Sequence, residues 1–236
     1  MPETATITID RQDRRNALDV AACERLAAEF DAAQAAGARA IVLTGAGPHF
    51  CAGADLELVH GTALAAALRR LLIVLGTVPV PVIAAVHGVA LGAGTQLALA
   101  CDLRVVDPTA RFGIPAARLG LMVDHWTVQR LALLAGHGPA RAMLLAAEEL
   151  DATGALRLGL AQRAGDLAAA QAWAEELSGL APLSQAGHKL LLNRLESVPS
   201  ADAAGTEAYD RAWSSADALE GPTAFRQRRR PHFEGL

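Results

Sequence analysis

The sequence predicts an α/β core over residues 1–181, followed by an all-helical module over residues 182–236. Strand and helix patterns alternate as far as residue 181, whereas only helical patterns follow Pro182. This order of elements is typical of an α/β layer structure with a separate helical part. Of the 236 residues, 52% are hydrophobic and 19% are charged, so we expect a large buried core.

The elements are predicted from hydrophobic spacing and from the positions of glycine and proline. Residues 4–10 alternate threonine and isoleucine, which is typical of a half-buried strand, and the apolar runs at 38–44 and 80–86 indicate buried strands. The predicted strands are 4–10, 38–44, 80–86, 103–106 and 110–113. The predicted helices are 18–36, 56–75, 95–100, 125–135, 139–147, 153–158, 167–180, 183–195 and 203–219.

Charge and cysteine content exclude several kinds of protein. The formal net charge is −4, without the basic surface that is typical of nucleic-acid-binding domains. The three cysteines are odd in number and share no ligand spacing, so we expect free thiols in a reducing compartment and no metal site. They are Cys23, Cys51 and Cys101.

The apolar segments do not predict a membrane protein. The longest of them are interrupted by Arg69 and Arg70 or by Pro79 and Pro81, and residues 1–15 lack the apolar centre of a signal peptide. By elimination, we expect a cytoplasmic protein without stable membrane insertion.

Two strand-to-helix loops are candidates for binding an anionic oxygen. One is Gly92-Ala93-Gly94, after the strand at 80–86, and the other is residues 50–55. A helix start leaves backbone N–H groups unpaired, and two converging groups can form an oxyanion hole. Each loop alone is equally typical of an ordinary tight connection, because a lone Gly-x-Gly pattern is a weak signal. The third glycine of a dinucleotide fingerprint is missing, as is the Gly-Lys-Ser/Thr of a phosphate loop.

Five segments, in the same order, are similar to the enoyl-CoA hydratase/isomerase family, which is the crotonase superfamily. They are RRNAL (14–18), IVLTGAGPHFCAGADL (41–56), PVIAAVHGVALGAGTQLALACDLRV (81–105), RFGIPAARLGL (111–121) and RRRPHFEG (228–235). The resemblance implies a crotonase spiral of ββα units with a C-terminal all-helical module that forms trimers, often paired into hexamers. It also implies an acyl-CoA ligand, with coenzyme A as part of that ligand and no other cofactor. The pattern most resembles an actinobacterial branch of the family.

The resemblance also implies positions for the ligand-binding residues. The oxyanion-hole donors of the family fall on the backbone N–H groups of Ala54 and Ala93, where they would stabilise a thioester enolate. The residues that line adenine and pantetheine fall on Arg15, Asn16, Ala17, Ala52 and Ala54. The basic tail at 228–230 resembles a cluster that reaches a CoA phosphate, with Arg229 as the candidate. Without the resemblance, the same run is typical of a solvated charged tail.

Both glutamates that hydration uses in this family are replaced. The first position is Gln96 and the second is Ala116. Neither side chain can act as a base, and each general acid–base group typically contributes about 10²–10⁴-fold to the rate. We therefore expect no efficient hydration.

Asp124 is a carboxylate that remains at a functional position of the superfamily. It falls where dienoyl-CoA isomerases and aryl-CoA dehalogenases carry a functional aspartate. It also directly precedes the helix at 125–135, where an aspartate caps a helix by accepting backbone N–H bonds. Both roles stay open, and a carboxylate capped in this way is a weak base. Beside it, we expect His125 at the surface, and Trp126 in the acyl pocket or in the core.

Other polar residues near these motifs receive structural interpretations. We expect His87 to orient the turn that it precedes and His49 to be exposed. Asp55 is expected to cap a helix that begins one residue later. Asp102 and Arg104 are expected to form a structural pair, and Cys51 is interpreted as a packing residue.

Three functions remain open. The first is a protein that binds medium or long acyl-CoA without hydrating it and acts as a binder or carrier in fatty-acid metabolism. The second is an isomerase or other thioester enzyme that uses Asp124, and the third is an enoyl-CoA hydratase with residual activity. We favour the first, because proton transfer between carbons usually requires a stronger base than a capped aspartate.

Overall fold

The structure is a computed structural model that describes residues 3–56, 62–195, 210–211 and 213–233. The strands are β1 (Thr4–Ile9), β2 (Ala40–Gly45), β3 (Val82–Val86), β4 (Val89–Leu91), β5 (Leu103–Val106), β6 (Arg111–Gly113), β7 (Glu149–Asp151) and β8 (Arg163–Ala164). The helices are α1 (Val20–Ala35), α2 (Thr62–Thr77), α3 (Ala93–Ala100), α4 (His125–Ala135), α5 (His137–Leu145), α6 (Ala152–Leu158), α7 (Leu167–Ser178), α8 (Pro182–Leu195) and α9 (Ala216–Arg226).

Five strands form a parallel sheet in the order β1-β2-β3-β5-β8. Strands β2 and β3 are buried along their whole length. Ile41 and Leu43 belong to the large core that includes residues of α1, α2 and α3, whereas Ala40 and Val42 pack with α7 on the opposite face. A strand covered on both faces has no polar side, which explains the continuous apolar runs in the sequence.

A second, smaller sheet has the order β4-β6-β7 and begins directly beside the first. The chain leaves β3 and enters β4 through Gly88, whose φ is +53°. A Cβ at Gly88 would lie 2.1 Å from the carbonyl oxygen of Pro48, so a larger residue does not fit this turn. Helix α3 starts two residues after β4 and packs against β4, α2 and α4.

The predicted α/β fold class is confirmed, but the sequence patterns missed three short strands. These are β4, β7 and β8, which contain three, three and two residues. Strand β4 lies between two glycines with positive φ, Gly88 and Gly92, and reads in sequence as one long turn. Strands this short show no period, because their pairing depends on neighbours that are distant in the chain. Residues 115–119 form a short 3-10 helix.

The predicted helix at 203–219 is only partly covered, because residues 203–209 lie outside the described part. The prediction of one helix ending at residue 219 is wrong, because the helix is interrupted at Ser215, the N-cap of α9, and α9 continues to Arg226 through Pro222. Close packing holds this helix: a Cβ at Gly221 would lie 2.0 Å from the carbonyl oxygen of Leu119. Trp213 also donates a hydrogen bond of 2.8 Å to the carbonyl of Met122. The C-terminal helices therefore contact the loop that carries Ala116.

The domain division and the apolar character of the helices are the last two features of the fold. Helix α8 begins at Pro182, and the division into two domains near residue 181 stays a prediction. Among the described helices, none combines the length and apolar character needed to cross a membrane.

Candidate active site

The two candidate loops lie against each other at the start of α3. Cys51 forms a parallel bridge with Ala90, in which the Cys51 N–H donates to Val89 and the Cys51 carbonyl accepts from Leu91, both at 3.0 Å. A Cβ at Gly94 would lie 2.1 Å from the carbonyl oxygen of Cys51, so glycine is required for this approach. The loop at 50–54 is therefore held against β4 and the first turn of α3.

The backbone N–H groups of Ala54 and Ala93 are the predicted oxyanion-hole donors. Leu18 donates to the Gly53 carbonyl and accepts from the Asp55 N–H, each at 2.8 Å, so Ala54 presents its own N–H to the other side. Ala93 is the first residue of α3, where an N–H has no acceptor within the helix. Within the described residues, neither N–H has a hydrogen-bond acceptor.

The same two residues lie in adjoining parts of the chain. A Cβ at Gly53 would lie 3.9 Å from the Ala93 nitrogen, and one at Gly92 would lie 4.0 Å from the Gly53 Cα. Two unpaired N–H groups in neighbouring loops are the arrangement that binds a developing oxyanion.

The opposite end of α3 is held by buried cations. The Arg104 guanidinium donates to the carbonyls of Ala98 and Cys101, both at 2.9 Å, and also to that of Leu160. Arg130 donates to the Leu99 carbonyl at 2.8 Å. Burial lowers the pKa of both guanidinium groups, that of Arg104 to about 10, so Arg104 stays charged at neutral pH. Positive charge here complements the helix dipole and keeps the N-terminus of α3 in place.

Gln96 takes part in a hydrogen-bond chain that leads to Asp124. Its Nε2 donates to Thr127 Oγ1 at 2.6 Å, and the Thr127 hydroxyl donates to Asp124 Oδ1 at 2.5 Å. Asp124 also accepts from the Thr127 backbone N–H at 3.0 Å, as the N-cap of α4. The predicted capping role of Asp124 is therefore present in the structure, and its predicted catalytic role stays a prediction.

Thr127 is the residue of this hydrogen-bond chain that the sequence patterns did not identify. It is fully buried on α4, three residues after the cap. The contact between Thr127 and Asp124 could have been predicted, because a capping aspartate accepts from the N–H of the third residue after it. The contact between Thr127 and Gln96 could not be predicted from the sequence, because the two residues lie 31 positions apart.

The other candidates near Asp124 occupy different environments. Ala116 and Trp126 are partly buried and pack against the main core. His125 is exposed, as expected. Gln96 and Ala116, the predicted positions of the family's glutamates, carry no ionisable group.

The loop predicted to contact CoA is rigidly connected to the loop at 45–53. Asn16 is fully buried, with a φ of +60°, and its Nδ2 donates to the carbonyls of Ala46 and His49 at 2.8 and 2.7 Å. Its Oδ1 accepts from the Arg11 N–H at 3.0 Å. The Asn16 side chain thus shapes the loop from inside. Arg15 is exposed, and Ala17 and Ala52 are partly buried, so these three can contact a ligand.

The tail residue Arg229 is engaged within its own chain. Its guanidinium contacts both carboxylate oxygens of Glu220, at 2.5 and 2.7 Å. This pair, with the backbone N–H of His232, lowers the pKa of Glu220 to about 2. A phosphate ligand of Arg229 would have to compete with this carboxylate.

Some of the other predicted contacts differ in the structure. Asp102 and Arg104 were predicted to form a structural pair, and they meet only through a hydrogen bond of 3.2 Å from the Arg104 guanidinium to the Asp102 backbone carbonyl. The Asp102 carboxylate pairs instead with Lys189 at 2.7 Å, which lies on α8, 87 residues later in the chain. His49 was expected to be exposed but is partly buried, with Nδ1 3.5 Å from the Val89 nitrogen.

Three further predictions concern His87, Asp55 and Cys51. The His87 ring lies 3.0 Å from the Gly47 carbonyl, which orients this turn as expected. Asp55 lies 3.7 Å from Arg11, and the helix start that it was predicted to cap falls next to residues 57–61, outside the described part. Burial raises the pKa of the Cys51 thiol to about 12, in agreement with a packing role.

Comparison with known proteins finds relatives of this chain along almost its whole length. The pattern of the family described as Enoyl-CoA hydratase/isomerase matches residues 3–236. The probable enoyl-CoA hydratase echA6 of Mycobacterium tuberculosis is 47% identical over 234 residues, which cover 98% of this chain and 95% of that protein. The 2,3-dehydroadipyl-CoA hydratase of Escherichia coli is 35% identical over 240 residues, covering 97% of this chain and 94% of that protein.

Solved structures of this family also match the chain over almost its whole length. The crystal structure of an enoyl-CoA hydratase/isomerase from Pseudoalteromonas atlantica superposes with a TM-score of 0.88 at 30% identity, over 98% of this chain and 96% of that one. The match therefore extends from the first strand to the C-terminal helices. Sequence, fold and the paired loops at the start of α3 together show that this chain belongs to the enoyl-CoA hydratase/isomerase family, the crotonase superfamily.

Proposed function

We propose that this protein binds fatty acyl-CoA thioesters and does not hydrate them efficiently, acting as an acyl-CoA binder or carrier in fatty-acid metabolism. The thioester oxygen would accept hydrogen bonds from the N–H groups of Ala54 and Ala93. The observation that carries the proposal is the combination of these two unpaired donors with Gln96 and Ala116, which lack any carboxylate. A site that polarises a thioester without a base can bind the ligand but has little means of activating water.

The CoA moiety would follow the surface formed by Arg15, Ala17 and Ala52. The rigid connection of this loop through Asn16 supports the proposal, since a preformed surface binds at a lower entropic cost. The proposal includes a cytoplasmic location, supported by three cysteines that are all free thiols.

A second candidate function is isomerisation or related thioester chemistry with Asp124 as the acid–base group. The observation that favours it is the Gln96–Thr127–Asp124 hydrogen-bond chain, which connects Asp124 to the first turns of α3. Against it stands the capping role of Asp124, because its Oδ1 already accepts from the backbone N–H and the hydroxyl of Thr127. Hydration itself is the activity named for the relatives, and the same experiment tests it.

The test is a panel of CoA esters offered to the purified full-length protein. Binding of saturated acyl-CoAs would be measured by calorimetry, and turnover with crotonyl-CoA, 3-enoyl-CoA and dienoyl-CoA. We expect binding, and hydration at least about 10²-fold below that of an enzyme with both glutamates. Hydration at ordinary enzyme rates would contradict the proposal. Isomerisation that disappears in Asp124→Asn, with binding retained, would favour the second candidate.

The contact between the tail and CoA has its own test. If Arg229 binds a CoA phosphate, Arg229→Glu should weaken CoA binding, and Glu220→Gln should strengthen it, because the competing carboxylate is removed. Arg157→Glu, an exposed change on α6, is the matched control and should leave affinity unchanged. Equal CoA affinity in all three variants would show that the tail is a solvated charged segment that does not contact CoA.

We also propose that the chain forms a homotrimer, or a hexamer made of two trimers. Large apolar side chains on the C-terminal helices support self-association, because they lie exposed in the single chain. They are Leu183, Leu190, Leu191, Leu192, Leu219 and Phe225.

A further inference from the structure

Thr95, in the first turn of α3, carries a buried hydroxyl that connects the helix to two strands. The residue is fully buried. Its Oγ1 lies 2.6 Å from the Ala90 carbonyl oxygen and 2.8 Å from the Gly113 carbonyl oxygen, and it accepts from the Gly113 N–H at 3.2 Å. Ala90 is the middle residue of β4, and Gly113 is the last residue of β6. The hydroxyl therefore joins α3 to both of these strands of the smaller sheet.

The contact with Gly113 supports the N–H group of Ala93. The Gly113 carbonyl also accepts from the Gly92 N–H at 2.8 Å, and Gly92 directly precedes Ala93. Gly92 has a φ of +52°, and a glycine backbone has many alternative conformations. Because Thr95 is bonded to the same carbonyl, it fixes the acceptor that holds Gly92. The peptide that carries the Ala93 N–H is thereby held in one orientation.

The contact with Ala90 supports the N–H group of Ala54. Ala90 lies opposite Cys51 in the parallel bridge that attaches the loop at 50–54 to β4, and Ala54 is the last residue of this loop. The bond from Thr95 to the Ala90 carbonyl fixes the distance between α3 and the strand that holds the loop. One hydroxyl is thus bonded to the supports of both oxyanion-hole donors.

The hydrogen-bonding capacity of the hydroxyl, and not only its volume, is needed at this position. A threonine hydroxyl donates one hydrogen and accepts through its lone pairs, so Thr95 can bond to the strand carbonyls and to the Gly113 N–H together. A valine would fill the same space but would leave these buried groups without this partner. The strands would then shift to find other partners. An oxyanion hole loses effect when its donors move from about 2.7–3.1 Å of the oxygen.

We propose that Thr95 is a positioning residue of the oxyanion hole, whose hydroxyl sets the spacing of the Ala54 and Ala93 N–H groups and thereby the preference of the site for a thioester carbonyl. This inference rests on the proposed binding of acyl-CoA and names a residue on which that binding depends. The enclosed side chain of Thr95 acts only through the backbone of β4 and β6.

The experiment compares the affinities of the full-length protein for hexanoyl-CoA and for S-hexyl-CoA, a thioether in which a methylene replaces the carbonyl. We expect the native protein to bind the thioester about thirtyfold more tightly, as for two net hydrogen bonds. Thr95→Val should reduce this ratio to about fivefold or less, whereas Thr95→Ser, which keeps the hydroxyl, should preserve it.

Infrared spectroscopy gives a second readout that a loss of stability alone would not change. Hydrogen bonds from the two N–H groups should lower the carbonyl stretching frequency of isotope-labelled hexanoyl-CoA when it binds to the native protein. In the bound complex of Thr95→Val, this frequency should return towards that of the free thioester. In Thr95→Ser it should stay at the native value.

Thr44→Val is the matched control for the loss of a buried hydroxyl. Thr44 is also buried, and its hydroxyl donates to the Ala85 carbonyl at 3.2 Å, between β2 and β3. This change should lower stability without changing the affinity ratio. Thr95→Ala is a second variant in case Thr95→Val does not fold, because alanine favours the helix. It should show the same fall in the ratio as Thr95→Val.

The outcomes separate this inference from the proposed function. An unchanged ratio in Thr95→Val or Thr95→Ala would overturn the inference and leave the proposed function standing. An equal fall in Thr44→Val would also overturn it, because the ratio would then follow stability. If the native protein binds neither compound, or binds both equally, the proposed thioester binding fails, and the inference fails with it.

Discussion

Gln96 is the residue on which the proposed absence of hydration depends. Its carboxamide can donate to the Thr127 hydroxyl, which in turn donates to Asp124. A glutamate at this position could only accept, and it would compete with Asp124 for one hydroxyl hydrogen. These hydrogen bonds are therefore satisfied by an amide at position 96 and a carboxylate at position 124.

This competition predicts the effect of Gln96→Glu. Burial and the nearby Asp124 should raise the pKa of the introduced carboxyl above its unfolded value of about 4.3. Such a group lowers the free energy of unfolding once the pH exceeds the unfolded pKa. Urea denaturation should therefore show a loss of about 1–3 kcal/mol at pH 8 and a smaller loss at pH 5. Gln34→Glu, an exposed control, should show no such difference.

A pH-independent effect of Gln96→Glu would contradict the assigned hydrogen-bond directions. Hydration by this variant is expected to remain far below that of a two-glutamate enzyme, because Ala116 still supplies no second carboxylate.

The three buried thiols make a second residue-scale prediction. Burial raises the pKa of Cys23, Cys51 and Cys101 from 9.0 to about 12. Above pH 9 the thiols ionise only in the unfolded chain, so rising pH favours unfolding, by about 1.4 kcal/mol per thiol at pH 10. In Cys51→Ala, the fall in unfolding free energy between pH 8 and pH 10 should be smaller by about this amount. Leu97→Ala should lower stability without changing its pH dependence, and an unchanged slope in Cys51→Ala would refute the prediction.

At the scale of elements, α3 is the part of the fold that positions the site. Its N-terminus carries the Ala93 N–H, and its last carbonyls accept from Arg104 and Arg130. These cations are buried, but each donates to carbonyls that a helix end would otherwise leave unpaired. The helix is therefore held at its C-terminus by protein contacts and open to a ligand at its N-terminus.

Lys189, the only lysine in the sequence, connects α8 to the end of α2 and to the residues that precede β3 and β5. Its Nζ donates to the Leu75 and Val80 carbonyls, at 3.0 and 3.1 Å, and to the Asp102 carboxylate at 2.7 Å. Lys189→Met should lower the free energy of unfolding by about 1–3 kcal/mol, with discounting for the partial exposure of Asp102. The measurement is urea denaturation, together with hydrogen exchange of the α8 amides.

Two controls support this measurement. Arg157→Met removes an exposed cation and should change stability by less than about 0.5 kcal/mol. In the Asp102→Asn background, Lys189→Met should cost less than in the native protein. Equal costs in both backgrounds would show that the ion pair contributes nothing to the attachment of α8.

The elements that sequence patterns located are those with enough residues to show a period. Helix α1 and strands β2 and β3 were predicted to within a few residues, because their hydrophobic spacing is unbroken. Strands β4 and β7 are three residues long and exist through pairing with β6. The end of α9 was missed because Gly221 and Pro222 suggest a break, whereas contact with the Leu119 backbone keeps the helix intact.

At the scale of the whole molecule, the exposed apolar face of the C-terminal helices predicts self-association. Leu191 is 59% exposed on α8, and burying such side chains between subunits is favourable by about 25 cal/mol per Å² of apolar surface. Leu191→Asp should therefore shift the protein towards monomers in light scattering coupled to size-exclusion chromatography. Leu145→Asp, on α5, is the matched control and should leave the assembly intact. An unchanged mass in Leu191→Asp would remove this face from the interface.

The sequence by itself determined the α/β class, the family and the two loops at the start of α3. It also predicted that Gln96 and Ala116 stand at the positions of the family's two glutamates, from the motifs around them alone. Only the tertiary structure decided what Gln96 does, since Thr127 and Asp124 reach it from a helix some 30 residues away. The same holds for Asp102, whose partner Lys189 lies on α8. The direction of a hydrogen bond depends on which groups meet in space, and a sequence pattern records only which groups are neighbours along the chain.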